Sequence, residues 1–406
     1  VSSALIAVAV LAEESPAGRW SARVAIASDA AVRDLRLTGL PTGETLAVWT
    51  SAAAANGGRT LRAAVAPAGR PFGAAETLAG PAPRLSDVAL ASDLSAATIA
   101  WRAGSVRNGR LKAISYSPST GLGLTQPVGA GAVSAPRLAM GRGRTALAWT
   151  KRGELRAAVR IGEDPFEQLR FAPRPRSLRS VEIAVNESEV LLAFGRDDGV
   201  ALVATTPEQS ASGEAIELSS DGGRFPQVAM SASGAAAIVW VTAAAGPPAV
   251  DVALRSAGSE PVDPVSLGAD AATRPVVALG AEDSVHLAWI ERRAGAETTS
   301  SARIRPDAPD EPEVSELARG ERVGLAGLDV DPQDIASVLL QDAEGLMVRT
   351  RYEPADPAGS APWTVARQLA SGPVGEPALT ALGGGEAVAA WVEPGARDRV
   401  IARFLR

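Results

Sequence analysis

The sequence predicts an all-β protein built from eight similar units, each with four antiparallel strands. First, a large apolar residue recurs at intervals of 45 to 52 residues along the 406-residue chain. Second, the same order of short apolar and alternating segments surrounds each of these residues, with glycine-containing turns between them. Third, the incomplete units at the two ends of the chain complement each other. Together these features predict a closed, eight-bladed β-propeller that forms one domain over residues 1–406.

The recurring residue, called the anchor below, ends the second strand of each unit. The anchors are Trp49, Trp101, Trp149, Phe194, Trp240, Trp289, Leu340 and Trp391. A period of about 49 residues is typical of units that stack on their neighbours and share a continuous core. Because one ligand cannot need eight equivalent positions, we predict that the anchors wedge between neighbouring sheets rather than bind a ligand.

Each unit opens with a short apolar strand that proline often precedes, as at Pro136, Pro226, Pro275 and Pro377. Proline is tolerated at the first residue of a strand, where no hydrogen-bond donor is needed. The second strand ends on the anchor, and a hairpin leads to an alternating third strand. Hairpin glycines, for which we expect positive φ angles, include Gly109, Gly153, Gly199 and Gly345.

The fourth strand is the least regular segment of each unit. Its leading residues are Trp20, Phe72, Leu124, Phe166, Ile216, Val262, Val314 and Trp363. The first of these strands, 20–26, precedes any complete set of strands, whereas the last set ends at 399–405 without a fourth strand. We therefore expect the N-terminal strand to pair with the C-terminal blade, which closes the ring and removes open sheet edges. Residues 1–14 are interpreted either as an extra strand or as the remnant of a leader.

The composition indicates a globular protein with a large core, since 46% of the residues are hydrophobic and 21% are charged. The net charge is −6 and no basic block occurs, so we expect no nucleic-acid partner. No segment is apolar for long enough to span a membrane. The chain has no cysteine, which excludes disulfides and thiolate metal sites. We expect a monomer.

Few residues offer catalytic or metal-binding chemistry. The only histidine, His286, occupies a second-strand position where most other units carry small or apolar residues, so we interpret it as a packed strand residue. Acidic runs at 197–198, 282–283 and 329–334 fall in predicted turns, where aspartate is common for backbone reasons. The run 329–334 loosely matches a calcium loop but lacks its central glycine and terminal glutamate. We predict no catalytic, cofactor-binding or metal-binding residues, and no cofactor.

The repeats resemble those of secreted bacterial propellers that are grouped with the sialidase-like fold. The units that carry the resemblance consist of a strand, a glycine turn, a strand that ends on tryptophan, a hairpin and a further strand, and they cover nearly the whole chain. The resemblance implies an extracellular or cell-surface protein. The Asp-box motif of sialidases, S-x-D-x-G-x-T-W, is not intact here, and its nearest fragment, 231–234, lacks the aspartate. Tyr116 and Tyr352 both follow third strands, far from the axis, so sialidase activity is not expected.

Two functions stay open at this stage. A rigid scaffold without a concentrated set of catalytic residues favours a non-enzymatic binding propeller, whose ligand is a protein or a glycan. The alternative is a glycan-acting hydrolase or lyase that uses carboxylates at the central opening. We favour the binding protein.

Overall fold

The computed structural model describes residues 19–53, 57–171, 175, 177–206, 214–220, 222–242, 247–267, 275–293, 295–352 and 362–406. The segment 1–14, interpreted above as a strand or a leader remnant, lies outside these residues. Within them the chain is all-β, as predicted, with one short 3₁₀ turn at Ala281–Asp283. No helix in this part of the chain is long and apolar enough to cross a membrane.

The strands, numbered in chain order, are β1 Val24–Gly39, β2 Thr45–Ala52, β3 Arg59–Ala66, β4 Glu76–Ala82, β5 Leu85–Ser92, β6 Ala97–Ala103, β7 Gly109–Ser117, β8 Gly121–Leu122, β9 Gln126–Gly131, β10 Arg137–Gly141, β11 Arg144–Lys151, β12 Glu154–Ile161, β13 Glu167–Gln168, β14 Ser180–Val185, β15 Val190–Gly195, β16 Val200–Thr205, β17 Ile216–Ser219, β18 Arg224–Met230, β19 Ala236–Thr242, β20 Ala249–Arg255, β21 Val265–Ser266, β22 Val276–Leu279, β23 Val285–Arg293, β24 Ala296–Arg305, β25 Ala308–Gly320, β26 Gly324–Val330, β27 Ala336–Gln341, β28 Gly345–Arg351, β29 Arg367–Ser371, β30 Gly375–Gly383, β31 Glu386–Glu393 and β32 Asp398–Leu405.

Hydrogen bonds group these strands into seven antiparallel sheets. Five sheets contain four strands each, namely β10–β13, β14–β17, β18–β21, β22–β25 and β26–β29. Strands β5–β9 form a five-stranded sheet, in which both β8 and β9 pair with β7. The seventh sheet has the order β30-β31-β32-β1-β2-β3-β4. The predicted four-stranded antiparallel units are therefore confirmed, but they form seven hydrogen-bonded sheets in the described chain, and none of these sheets closes on itself.

The seven-stranded sheet joins the two ends of the described chain, because β1 has two partners along its length. Its first part pairs with β32, where Val24 lies opposite Ala402. Its last part pairs with β2, where Gly39 lies opposite Thr45. Register shifts between these parts bend the strand from one partner to the other. The predicted N-terminal strand begins at Val24 rather than Trp20, which forms only an isolated bridge.

All eight anchors are buried, with at most 2% of each side chain exposed. Trp240 shares a core cluster with Leu191 and Leu202 of the preceding sheet. Trp49 shares a cluster with Val388 and Val400, which belong to the C-terminal strands. The wedge role predicted for the anchors is therefore confirmed.

Two prolines do not begin their strands as predicted. Pro226 and Pro377 lie inside β18 and β30, which start two residues earlier. A register shift interrupts the ladder at each proline. Because a bulge takes one residue out of the ladder, proline is tolerated there without the loss of a hydrogen bond.

Only two of the four predicted hairpin glycines have the positive φ angles that we expected. Gly153 and Gly345 have the expected positive φ angles, 77° and 144°. Gly109 and Gly199 are not among the residues with positive φ. A Cβ atom at Gly199 would instead lie 1.8 Å from the carbonyl oxygen of Ser219 on the fourth strand. The close approach of a neighbouring backbone excludes a side chain at this position.

The fourth strands are the least regular, as predicted, since β25 contains 13 residues and others far fewer. Strands β13 and β21 contain two residues each. The expected lead residues Leu124 and Val262 lie ahead of their strands and are 87% and 55% exposed. An outermost strand packs on one neighbour only, so its position is weakly specified by burial.

The first strands of the units contact one another in chain order. Strand β1 contacts β5, and the contacts continue through β10, β14, β18, β22 and β26 to β30, which in turn contacts β1. Side chains of the first strands are mostly half-buried, whereas those of second strands such as β15 are fully buried. The first strands therefore border an open space, and the core lies between the sheets.

Candidate functional site

A cavity of about 890 Å³ lies between the turns that connect first strands to second strands, and we call it the turn cavity. Seven of the eight units contribute to its wall. The side chains that line it include Leu40, Pro41, Asp93, Leu94, Met140, Arg142, Asn186, Met230, Asp329, Gln333, Thr380 and Leu382. The wall is concave and combines apolar side chains with polar ones, as ligand sites do.

One position of the first strand distinguishes three neighbouring units from the other five. The position lies opposite the residue three before the anchor, and the residues found there are Thr38, Ala91, Ala139, Ala184, Ala229, Ala278, Asp329 and Thr380. Alanine therefore occupies five units, while the units of β26, β30 and β1 carry a polar side chain. These three polar residues all line the turn cavity and form a polar arc on one side of it.

The residues of the polar arc connect neighbouring first strands. Asp329 Oδ2 accepts a hydrogen bond of 2.8 Å from the N–H of Ala381. Thr380 Oγ1 accepts one of 2.9 Å from the N–H of Gly39. Thr38 Oγ1 lies 2.6 Å from the hydroxyl oxygen of Ser92. Each side chain thus links its own unit to the next one, which fixes the wall of the cavity.

Asp329 is the acid in this wall whose proton affinity departs most from its ordinary value. Burial raises the pKa of Asp329 to about 6, although hydrogen bonds from the N–H groups of Ala381 and Val330 and from Thr380 oppose the shift. The charge of Asp331 adds to the increase. Asp329 is therefore the acid of the turn cavity whose ionisation differs most from that of a free carboxyl group.

We expect the stability of the protein to fall as the pH rises from about 4 to about 6, because of Asp329. The folded state binds the proton more tightly than the unfolded state, so the raised pKa of about 6 favours folding at low pH, and this contribution is lost as Asp329 ionises. The expected change in unfolding free energy is roughly 2 kcal/mol. Asp329→Thr keeps a hydroxyl acceptor, as at Thr380, but has no ionisable group. In urea titrations at several pH values, the variant should therefore not lose stability between about pH 4 and 6. The same slope in the variant would contradict the assignment.

The acidic run 329–334 does not form a calcium loop. Its carboxylates bind different partners: Asp329 faces Ala381, Asp331 accepts hydrogen bonds from three backbone N–H groups, and Asp334 binds His286. Among the residues that the structure describes, no group of three or more histidine or acidic side chains is placed to hold a metal ion.

Polar side chains also fix the turns that rim the cavity. Asp93 accepts hydrogen bonds within its own turn, and its Oδ2 accepts one of 2.6 Å from the N–H of Gly143 in the next unit. Asp331 repeats this arrangement, with 2.8 Å between its Oδ2 and the N–H of Gly385. A signal for this role is present in the sequence, since an acidic residue directly follows the first strand. Asp331 was interpreted above as a turn residue only, and Asp93 was not singled out.

His286 lies in β23 and is 2% exposed, which confirms that it is a packed strand residue. Its Nε2 lies 2.8 Å from Asp334 Oδ1 and 3.4 Å from the Ser284 hydroxyl oxygen. Asp334 Oδ2 also accepts a hydrogen bond of 2.6 Å from Arg303. In a Ser-His-Asp triad, the serine and the acid bind opposite ring nitrogens. Here both lie at the same nitrogen, so the cluster is not arranged to activate a nucleophile.

Asp334 is kept ionised in this cluster. Burial alone would raise the pKa of Asp334, but the hydrogen bond and charge of His286, the Ser284 hydroxyl and Arg303 lower it to about 2. Sequence reasoning did not pair His286 with Asp334, because the two residues are 48 positions apart. This separation is close to one repeat, which is the signal that would have suggested contact across neighbouring sheets.

A further set of links between sheets comes from arginines near the ends of third strands. Arg160, Arg255 and Arg351 share the position opposite the residue four before the anchor. Each is nearly buried and binds a polar side chain of the preceding sheet, as Arg255 does with both carboxylate oxygens of Glu189. The recurrence of arginine at this position is visible in the sequence but was not recognised as a pattern.

The opposite ends of the first strands carry a different group of charges. Bulges place Asp34, Asp87 and Glu376, from three consecutive units, at positive φ angles of 55°, 56° and 48°. Arg102 forms an ion pair of 2.5 Å with Asp87, and Arg59 interacts with the charges of Asp34 and Glu376. Strained backbone at residues of this kind often marks a functional position.

No protein-family model matches the sequence, and no curated protein sequence matches it either. Among solved structures, the Dos1 propeller is similar with a TM-score of 0.55 and 9% identity, over 94% of this chain and 93% of that one. Prolyl endopeptidases are similar with a TM-score of 0.52 and 14% identity, over 91% of this chain and 53% of theirs. A polysaccharide lyase, ulvan lyase of family PL25, reaches a TM-score of 0.48 at 9% identity, over 77% of this chain and 90% of that one. At such identities the likeness concerns the fold alone, and this chain has a β-propeller fold.

Proposed function

We propose that the chain is an eight-bladed β-propeller closed by β1 and β32, and that it is a non-enzymatic binding protein. The contacts between first strands, which run in chain order and return from β30 to β1, support the ring. In this arrangement β1 is both the fourth strand of the last blade and the first strand of the first blade. The eight buried anchors, one for each blade, support the same count.

The binding function is inferred from the hydrogen bonds that the polar side chains of the turn cavity make to neighbouring units. Asp329, Thr380, Thr38 and Asp93 all hold a neighbouring unit in place. A wall fixed in this way can receive a ligand without losing much conformational entropy, which favours affinity. Catalysis by general acid and base would instead need polar groups that are free to exchange protons with a substrate.

The turn cavity favours an apolar segment of a protein partner over a sugar. No aromatic side chain occurs in the described lining of the cavity, so a sugar would lack a stacking surface. Met140, Met230 and Leu94 provide apolar contact instead, and methionine adapts readily to a partner surface. Leu94 is 71% exposed at the rim. The proposal that the protein acts outside the cell or at its surface rests on the sequence resemblance alone.

We expect a bulky side chain at the rim of the turn cavity to prevent binding. Ala232 is exposed and lines the cavity, so Ala232→Trp should obstruct it. Peptides selected from a random library against the wild-type protein should bind the variant at least about tenfold more weakly, a change of 1.4 kcal/mol. Ala130→Trp, at an exposed position of the outer strand β9, is the matched control and should bind as the wild type does. Equal binding to both variants would show that the turn cavity is not the site, and a glycan array tests the sugar alternative in parallel.

The alternative function is that of a glycan-acting hydrolase or lyase at the opposite ends of the first strands. The positive φ angles of Asp34, Asp87 and Glu376 on consecutive units, beside Arg59 and Arg102, favour it. Release of reducing or unsaturated ends from a panel of neutral and uronic-acid polysaccharides would support it. Such activity would have to disappear in Glu376→Gln and persist in Ala232→Trp.

A further inference from the structure

Leu340 is the smallest of the eight anchors, since six of the others are tryptophan and one is phenylalanine. Leucine fills much less space than an indole ring. The boundary between the units of Trp289 and Leu340 should therefore contain a space that is filled where the anchor is tryptophan. A cavity of about 570 Å³ lies at this boundary, and we call it the boundary cavity. It shares no lining residue with the turn cavity.

The boundary cavity borders a surface that an indole ring covers in other units. At two boundaries the tryptophan anchor shares a core cluster with the residue that directly follows the anchor of the preceding unit. These pairs are Trp289 with Val241 and Trp49 with Val392. The equivalent residue of the preceding unit is here Ile290. It lines the boundary cavity, and the core cluster of Leu340 does not include it.

A carboxylate in the wall occupies the position that accepts an indole N–H group in the two neighbouring units. The residue two positions after the anchor is acidic in three consecutive units, as Glu291, Asp342 and Glu393. Trp289 Nε1 donates to Glu291 Oε1 at 2.8 Å. Trp391 Nε1 donates to Glu393 Oε1 at 3.3 Å. Asp342 lines the boundary cavity, where the leucine anchor supplies no such donor.

Asp342 has one carboxylate oxygen available for a ligand. Its Oδ1 accepts two backbone N–H groups of the following turn, at 2.8 and 3.0 Å, and no residue that the structure describes donates to its Oδ2. The other acid in the wall, Glu297, pairs with Arg292 at 2.6 Å. Arg322 also lines the cavity. Because two arginines balance the two acids, the site favours a neutral ligand over an ion.

We propose that the boundary cavity binds a small, neutral aromatic compound with a ring N–H group, as in indole. The ring would lie against Ile290 and Val323, and its N–H group would donate to Asp342. The guanidinium of Arg322 can lie over the face of the ring. The cavity volume is within the range of about 300–1000 Å³ that is typical of small-molecule sites. An apolar space left by a missing side chain can bind a small aromatic molecule.

Leu340→Trp should place an indole ring in the boundary cavity, with Asp342 as its acceptor. Binding of indole to the full chain is measured by ligand-observed NMR titration. The wild type should bind indole saturably, with a Kd on the order of 1 mM for a compound of this size. Leu340→Trp should lose saturable binding. Phe194→Trp changes the other anchor that is not tryptophan, and this control should bind indole as the wild type does.

Asp342→Asn tests the site without filling it, and it keeps the test decisive if Leu340→Trp does not fold. The amide oxygen can still accept the hydrogen bonds of the turn, but no carboxylate oxygen remains for the ligand. The variant should bind indole about tenfold more weakly. Glu393→Gln, the equivalent change in the next unit, should bind indole as the wild type does.

Benzofuran has the shape of indole, with an oxygen atom in place of the N–H group. It should bind the wild type about tenfold more weakly than indole does. Since it cannot donate a hydrogen bond, it should bind Asp342→Asn and the wild type equally.

Three results would overturn the proposal. They are the absence of saturable binding to the wild type, equal binding of indole to the wild type and Leu340→Trp, and equal affinity for indole and benzofuran. Tighter binding of N-acetyl-tryptophanamide than of indole would also overturn it, because the cavity would then receive a tryptophan side chain of a peptide. None of these results bears on the turn cavity, whose wall contains none of the substituted residues.

Discussion

Trp49→Ala is expected to lower the free energy of unfolding by about 3–5 kcal/mol, which is the range for removal of a buried aromatic side chain. Trp49 belongs to β2 and is fully buried against the C-terminal strands. It shares a core cluster with Ile26, Val388 and Val400. Its indole N–H also donates a hydrogen bond of 2.9 Å to Asp29. The variant therefore leaves a cavity where the two ends of the described chain meet, together with a buried acceptor that has lost a donor.

Chemical denaturation followed by circular dichroism measures this loss, and Trp240→Ala is the matched control. Trp240 is equally buried, but its indole N–H has no hydrogen-bond partner within the described chain. Trp240→Ala should therefore lose stability only through the cavity that it leaves. Its free energy of unfolding should fall by roughly 1 kcal/mol less than that of Trp49→Ala. A loss below about 1 kcal/mol for both variants, which is typical of surface substitutions, would contradict the wedge role of the anchors.

Asp334→Ala is expected to destabilise the protein by about 3–5 kcal/mol, the usual cost when one partner of a buried ion pair is removed. Asp334 is 4% exposed and binds His286, Ser284 and Arg303 at the boundary between two sheets. Without the carboxylate, the buried imidazole of His286 loses the acceptor at 2.8 Å from its Nε2. The loss should be visible in urea denaturation at neutral pH.

His286→Leu provides the control, since Leu46 and Leu191 occupy the equivalent position in other units. The single variant leaves Asp334 with Arg303 and Ser284 and should cost less than Asp334→Ala. In the double variant the loss should be smaller than the sum of the two single losses, because fewer polar groups remain unpaired. Additive losses would mean that His286 and Asp334 do not stabilise each other.

The same carboxylate sets an acid limit on stability. The pKa of Asp334 is lowered to about 2 in the folded state, so its contribution is present above about pH 4 and disappears as the pH falls toward 2. Ionisation of Asp329 lowers the stability as the pH rises from about 4 to 6. For these two groups together, stability is greatest near pH 4.

The sequence predicted those parts of the fold that depend on burial with a fixed period. Each anchor had to fill the space between two sheets, so its size was constrained and its recurrence was visible. The pairing of the N-terminal strand with the C-terminal strands also followed from the order of the segments. The pairing of β1 with both β32 and β2 did not follow from the sequence, because the register shifts that bend β1 leave no clear pattern in its side chains.

The polar links between sheets could not be derived from a local pattern. Thr380 binds Gly39, and Asp331 binds Gly385, across separations that only the stacking of units brings together. In the sequence, each of these residues had an adequate local explanation as a strand or turn residue. The alignment of equivalent positions exposes them, since alanine in five units contrasts with Thr38, Asp329 and Thr380 in three.

The antiparallel pairing of β1 with β32 determines how the molecule responds to tension. The start of β1 lies beside the end of β32, with the N–H of Arg19 bonded to the carbonyl of Arg406 at 2.9 Å and Val24 opposite Ala402. A force that pulls these two ends apart loads the hydrogen bonds one after another, as in unzipping, and not all at once as in shear. The junction would open from its outer end at low force, while the internal sheets would not bear the load until it had opened.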